Sequence, residues 1–514
     1  MSSTPDIAYQ DSALLLGIDV GTTATKAVLV SRSGKLLAEG RAEYRTTFPQ
    51  PGWAQQAPED WWNALCASVK EVLGHVDGAG ARVIGLSISA QAPTLIAVDR
   101  DGLAIYPALI WMDRRAELQS QKLLKMVPHI AEITGNRADP FYVAAKMLWL
   151  KENEPEDFQS TFKFLQIPGY LNFHLTGIFG IDRAHATLLQ LLDRKTNSWN
   201  SDLMLAVGVN PEQLPEIFES TQILGELTER ASEVIGLPSG IPVFAGSVDG
   251  AMAALEAGVI DPGVVAEMTG TSTVLLMPTH AGTHNCVEGK VPFISMAHAI
   301  AGRELLLGAM VSSGGNVRWL HQVILGGRWT LDELMADAET VPVGSGGLIF
   351  LPYMMGERAP IWDTYARGVF FGLTLNTSKA AMVRAVLEGT AYALAHNVEV
   401  ARNAGVEINE IRSVGGGTKN RLWNQIKADV LGIPIVSLKE SAGAAMGNAY
   451  LVGIGLGIFP DIRKMLSEVI EIQERFLPDA KHHEHYQRRY QRFRSLYEKL
   501  KDEFKASAES ETFS

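Results

Sequence analysis

Cysteine is nearly absent from this 514-residue chain. Cys66 and Cys286 are the only two, too few for a disulfide framework or a cysteine-rich zinc site, and they suit a reducing, cytoplasmic compartment. Basic charge is not in excess either. Lys and Arg number 45 against 57 acids, a formal net charge of −12 with the signs interspersed, which argues against a nucleic-acid partner. A membrane partner is not expected: the most apolar late stretch, AYLVGIGLGIF (449–459), is too short and too glycine-rich to span a bilayer. The N-terminal MSSTPDIAYQDSA has no basic region ahead of its apolar stretch, so it does not read as a secretory signal. Two nucleotide fingerprints, GxxxxGK[ST] and GxGxxG, are also missing. GIGLGIF (453–459) comes near the second and reads instead as helix packing.

What remains is an ordinary globular composition, 46% hydrophobic and 20% charged, in a chain too long for one core. LLLGIDVGTTATKAVLV (14–30) reads as strand, Gly-Thr-Thr turn, strand, with one acid, Asp19, in an apolar run. An unpaired buried carboxylate is costly, so Asp19 should face solvent, a metal or a fixed dipole. The turn beside it offers closely spaced N–H groups, the parts of a phosphate cradle. KLLAEGRAEY (35–44) completes an antiparallel meander. A helix over 57–76, a buried strand VIGLSISA (83–90), a strand in TLIAVDRDG (94–102) and a helix over 116–127 follow, an α/β pattern with a mixed sheet. The opening is echoed in GVVAEMTGTSTVLLMPT (263–279), a second hairpin tipped by Gly270, Thr271 and Ser272. Ahead of it, IPVFAGSVDG (241–250) is a strand that delivers Asp249, and AMAALEAG (251–258) a helix. Two similar domains facing each other across a cleft are implied, residues 1–248 and 249–514. SVGGGTKNRLWNQIKADVLG (413–432) reads as strand, glycine turn and a helix starting near Asn420. The tail is an amphipathic helix with Tyr486, Tyr490, Phe493, Tyr497, Leu500 and Phe504 on one stripe. That stripe has two destinations, the chain's own body or a partner such as the second copy of a homodimer.

Glycine-hydroxyl turns plus two acids at strand ends are what phosphoryl transfer from a nucleotide requires, because that chemistry is mostly positioning and charge stabilisation. The tips at 21–23 and 270–272 would clamp phosphates, with Lys26 adding charge. Asp19 would hold Mg²⁺ through water, since that ion keeps much of its hydration shell. The turn at 415–417 would take the adenosine of ATP, and Asp249 would accept a hydroxyl proton. Each element also has an ordinary reading: Gly-Thr turns close many hairpins, and an acid such as Asp249 caps many helices. His482, His483 and His485 lie on a charged helix and read as a solvated face rather than a zinc site.

In this order along the chain the motifs resemble the FGGY carbohydrate kinases. PALIWMDRRA (107–116) is similar to that family's Trp-x-Asp-x-Arg segment, and FYVAAKMLWLKEN (141–153) to its first signature, with Val143 where Pro, Ser or Thr is usual. The second signature is matched by 351–389, including Gly-Glu-Arg-x-Pro-x-x-Asp. The resemblance implies two ribonuclease H-like (actin-like ATPase) domains and ATP with Mg²⁺. It places Asp249 as general base and Asp19 at the magnesium. Gly21, Thr22, Thr23, Lys26, Gly270, Thr271, Gly314, Gly416 and Asn420 would then bind the nucleotide. Gln91, Trp111 and Asp113 are the expected substrate-side residues, while Trp111 reads equally as core. Arg358 and Asp363 either pair to shape a loop or meet the substrate. The role of Arg318 is left open. The overall look is that of xylulokinases and gluconokinases, yet the chain reads Ala90-Gln91-Ala92-Pro93 where a xylulokinase shows Gln-Met-His-Gly. D-xylulose or a related ketose is the expected substrate, with gluconate, L-xylulose or a polyol as alternatives. The rival of another class is an ATP-driven switch of the actin or Hsp70 kind.

Overall fold

The structure is a computed structural model and describes residues 12–283, 285–415, 420–439 and 442–511. Its first sheet is built from β1 (Leu14–Val20), β2 (Ala24–Ser31), β3 (Leu36–Glu43), β4 (Val83–Ala90), β5 (Ile223–Glu226) and β6 (Pro242–Val248). The second holds β7 (Gly263–Thr269), β8 (Thr273–His280), β9 (Ile294–Ala297), β10 (Arg303–Met310), β11 (Ile408–Val414), β12 (Ile435–Leu438) and β13 (Ile472–Phe476). The spatial orders are β5-β6-β4-β1-β2-β3 and β9-β10-β8-β7-β11-β12-β13.

Those two orders share one pattern of strand directions, although the antiparallel edge strand comes before its neighbour in the chain in the first sheet (β5 before β6) and after it in the second (β13 after β12). In the first sheet β2 runs antiparallel to β1, while β4 and then β6 run parallel to it and β5 closes the edge antiparallel. In the second, β8 runs antiparallel to β7, while β11 and β12 run parallel and β13 closes antiparallel. The hairpin echo in the sequence is therefore the visible part of a repeated sheet, with β9 added at the outer edge of the second. Both strands of each opening hairpin read as near-continuous apolar runs because helices cover the sheet faces.

Helix α1 (Pro58–Gly74) shows how the local chemistry works. Proline sits in its first turn with Glu59 and Asp60, matching the helix dipole, and Trp61, Leu65, Val69 and Val72 bury one stripe against the first sheet. The other helices needed below are α2 (Val143–Asn153), α3 (Asp249–Glu256), α4 (Lys379–Asn403), α5 (Arg421–Leu431), α6 (Ala444–Gly455) and α7 (Ala480–Glu511). Of GIGLGIF, expected to be helix packing, only 453–455 belong to α6 and the rest forms the turn after it; α6 itself is buried from Ala444 to Gly453. It lies against β1 so closely that a methyl group on Gly17 would meet the Ala445 carbonyl oxygen at 2.0 Å.

The tail helix packs on its own body. Tyr486, Tyr490, Phe493 and Tyr497 are buried in a cluster with Tyr392 of α4, so this stripe is not left for a partner. Of the histidines near its start, His482 is exposed, in keeping with a solvated face, while His483 and His485 are half-buried. His482 Nδ1 lies 3.0 Å from the Asp429 carboxylate and His483 Nδ1 2.8 Å from the Asp429 carbonyl, because the last turn of α5 presents unsatisfied acceptors there.

Candidate active site

Strands β1, β4 and β6 are parallel, and their registers align Val20 with Ala90 and Ala90 with Val248. The residues that leave the three carboxyl ends therefore emerge side by side: Gly21, Gln91 and Asp249. Such an edge is where open α/β sheets hold ligands. Asp19, one residue inside the β1 end, pairs across the hairpin with Lys26. Its Oδ1 accepts from Ser89 Oγ at 2.7 Å. Burial and the Asp249 carboxylate push Asp19 up to about 7, against the pull of Ser89 and Lys26. Asp249 opens α3 and accepts from the Gly250 amide at 2.6 Å. Burial pushes it up to about 6, while that amide and His185 pull it down. Two half-buried carboxylates at one sheet edge, each with an oxygen that meets no donor among the described residues, could hold a cation and accept a proton.

The first tip is braced from behind. Tyr44 Oη donates to Gly21 O at 2.5 Å, Gln56 Nε2 to Thr22 O at 2.7 Å, and Trp111 Nε1 to Thr22 Oγ1 at 3.2 Å. Thr23 is exposed, and among the described residues Lys26 makes a loose 3.6 Å pair with the exposed Glu39, so both could turn to a ligand. The second tip is tied to the helix Gly314–Trp319, since the Ser313 and Gly315 amides donate to Thr271 O at 2.9 Å. A Cβ on Gly314 would lie 2.3 Å from Gly270 O, whereas one on Gly270 would meet nothing within 4 Å. Gly314 is thus needed for close packing, and Gly270 opens onto free space. Beyond this tip lies a cavity of about 570 Å³ lined by Gly270, Gly314, Val317, Arg318, Met335, Asn420 and Trp423. Asn420 caps α5, its side chain accepting from the Trp423 amide at 3.0 Å. Gly416 lies outside the described residues.

Of the residues expected on the substrate side, Gln91 is 2% exposed. Its Nε2 donates to Gln56 Oε1 at 2.7 Å while its own Oε1 is buried without a partner. Trp111 is half-buried, between the Thr22 hydroxyl and the Arg358 guanidinium 5.4 Å from its ring.

A family comparison settles what kind of protein carries this arrangement. The N-terminal domain of the FGGY family of carbohydrate kinases matches residues 14–256, and its C-terminal domain matches residues 265–456. The chain belongs to the FGGY carbohydrate kinases. It is 30% identical to the xylulose kinase of Staphylococcus xylosus over 95% of this chain and 100% of that one. Among solved structures, it is similar to the xylulose kinase of Rhodospirillum rubrum (TM-score 0.89, 29% identity, 96% of this chain and 99% of that one). It is likewise similar to a gluconate kinase from Lactobacillus acidophilus (TM-score 0.90, 27% identity, 96% and 99%). Like these FGGY relatives it is a phosphotransferase of the actin-like ATPase fold.

One sequence expectation needs correction, and one of two open alternatives falls away. Asp113 is 0% exposed. Arg115 grips its carboxylate at 2.8 to 3.0 Å and the Ala54 amide donates to it at 2.6 Å, so it has no reach to a substrate. Its work is internal: it holds Arg115 against the faces of Trp53 and Trp149, at 3.6 and 4.9 Å, and so shapes the loop that presents Trp111. Arg358 and Asp363 do not pair. The loop is closed by backbone bonds between Glu357 and Asp363 at 2.8 and 3.0 Å, Asp363 binds Tyr497 Oη, and Arg358 reaches over Trp111 and Phe141.

Sequence reasoning also missed residues. Asn448 of α6 donates to Ser89 Oγ at 2.7 Å and to Ile18 O at 2.9 Å, and accepts from Ser87 Oγ at 3.0 Å, linking the second lobe to the support of Asp19. Its signal was one amide in an apolar helix facing two serines in an apolar strand. Among the described residues, no cluster of three His, Cys, Asp or Glu side chains forms a metal cage, and no helix is long and apolar enough to cross a membrane.

Proposed function

We propose that this kinase transfers the γ-phosphoryl group of ATP to a hydroxyl of a small ketose, D-xylulose or a close relative. The observation that carries the reading is the alignment of Gly21, Gln91 and Asp249 on one sheet edge, beside Asp19. The phosphates lie on the tips at 21–23 and 270–272, and the adenosine in the 570 Å³ cavity beside Asn420. The uncommitted oxygen of Asp19 fits a hydrated Mg²⁺, an ion that prefers one or two carboxylates plus phosphates over a full protein cage. When bound, it neutralises charge developing on the transferred group. Gln91 and Trp111 orient the sugar. Asp249 takes the hydroxyl proton as the new oxygen–phosphorus bond forms and the bond to the ADP oxygen breaks. The two free cysteines, Cys66 buried and Cys286 exposed, suit a cytoplasmic setting.

The xylulose kinase relatives support a ketose. One observation favours a second substrate class: Ala92-Pro93 removes a hydrogen-bonding side chain from the pocket, and a gluconate kinase shares the fold at a TM-score of 0.90. A pocket built to pair a hydroxyl discriminates strongly against a substrate that leaves it unpaired. ADP release is therefore to be measured with D-xylulose, L-xylulose, gluconate, glycerol and xylitol in turn. The expected result is sugar-dependent turnover, highest with D-xylulose. ATP consumption that ignores the sugar would instead favour a nucleotide-driven switch.

A further inference from the structure

Lys146 of α2 is 0% exposed, and backbone carbonyls hold its ammonium: Ile110 O at 2.7 Å, Pro93 O at 3.4 Å and Leu109 O at 3.5 Å. The charged groups that face it come from two places, Asp113, Arg114 and Arg115 on the loop after Leu109 and Asp139 before α2. Both acids are already committed, Asp113 to Arg115 and Asp139 to Arg114 at 2.7 Å. Burial accordingly pushes Lys146 down to about 7. An apolar side chain of similar volume would fill the same space without that desolvation cost. What the ammonium adds is its choice of partners.

Those partners lie on two chain segments. One leaves β4 as Gln91-Ala92-Pro93, and the other runs through Leu109 and Ile110 into Trp111. Nearest the β4 end, the segments meet through the reciprocal Leu95–Leu109 backbone bonds at 3.0 Å. On the active-site side of that bridge, Lys146 joins Pro93 to Ile110. We propose that Lys146 is a positioning residue for the sugar: it fixes the spacing between the segment that carries Gln91 and the segment that carries Trp111. The inference rests on the reading that these two side chains meet the sugar. It assigns no contact between Lys146 and substrate.

The test uses the full-length enzyme with Lys146→Met and Lys146→Gln, D-xylulose and ATP. For K146M the KM for D-xylulose should rise about tenfold or more, the cost of misplacing a positioned group. The KM for ATP and the melting temperature should stay near wild type. K146Q retains N–H donors and should recover part of the loss. Hydrogen exchange should quicken over 91–95 and 109–112 in K146M and not over β7 and β8. An unchanged sugar KM with unchanged exchange overturns the proposal. So does a parallel change in both KM values that tracks a fall in melting temperature, because that is the signature of a merely structural lysine. If K146M does not fold, K146Q carries both measurements. A wild-type enzyme inert toward D-xylulose counts against the substrate reading alone, and the exchange pattern then decides the role of Lys146.

Discussion

Gly17→Ala strikes the seam between the lobes. The new methyl group would stand 2.0 Å from the Ala445 carbonyl oxygen and 2.6 Å from the Ala449 nitrogen. Both are backbone atoms of α6, so no side chain can swing aside. Ordinary contact begins at 3.4 Å, and the helix must withdraw by about 1.4 Å. That withdrawal stretches the Asn448 bonds to Ile18 O, Ser89 Oγ and Ser87 Oγ, now 2.9, 2.7 and 3.0 Å. Losing two or three buried bonds costs about 1 to 1.5 kcal/mol each, and overpacking adds about 1 to 3 kcal/mol. A loss of about 3 to 7 kcal/mol in urea unfolding is expected. Turnover should fall as well, since Ser89 also supports Asp19. Gly21→Ala is the control: its Cβ would meet only Ala24 O at 3.4 Å, so stability should hold while the phosphate approach is obstructed. A G17A enzyme within 1 kcal/mol of wild type, with turnover intact, would refute the close packing of β1 on α6.

The carboxylates at the sheet edge set the pH response. Asp249 is raised to about 6 and Asp19 to about 7, so kcat/KM should fall as the pH drops through 7 to 6 rather than near 4. The folded state holds these protons more tightly than the unfolded chain, so the pair costs stability above pH 7 and the cost vanishes below about pH 4. Asp249→Asn should therefore be about 1 to 2 kcal/mol more stable than wild type at pH 8 while inactive, and equal or lower stability would contradict the burial argument. Glu267→Gln removes the partner of Lys427, paired at 2.6 Å with both side chains at most 2% exposed. It should cost about 3 to 5 kcal/mol in chemical denaturation, because an uncompensated cation is left buried.

Much of this was legible in the chain. The two hairpins, the helix under Trp61 and the strand that ends at Asp249 all follow from periodicity and turn residues, and their order along the chain carried the family resemblance. The repeat of the whole sheet was not legible. β12 and β13 are short, and their pairing depends on contacts far apart in sequence. Asp113 misled because a carboxylate near Trp111 looks the same in sequence whether it meets a sugar or Arg115. Lys146 was hidden in a helix buried on nearly every side, where amphipathic patterning gives no cue. Asn448 and Ser89 stand 359 residues apart, and only the docking of α6 on β1 makes them neighbours.

The most direct measurement is sugar phosphorylation by Asp249→Ala alongside its affinity for ADP by calorimetry. Removing a group that receives the hydroxyl proton should lower turnover about a hundredfold to ten-thousandfold, with ADP bound as tightly as by wild type. Turnover largely retained, or nucleotide binding lost together with it, would contradict the assignment of this carboxylate as the base.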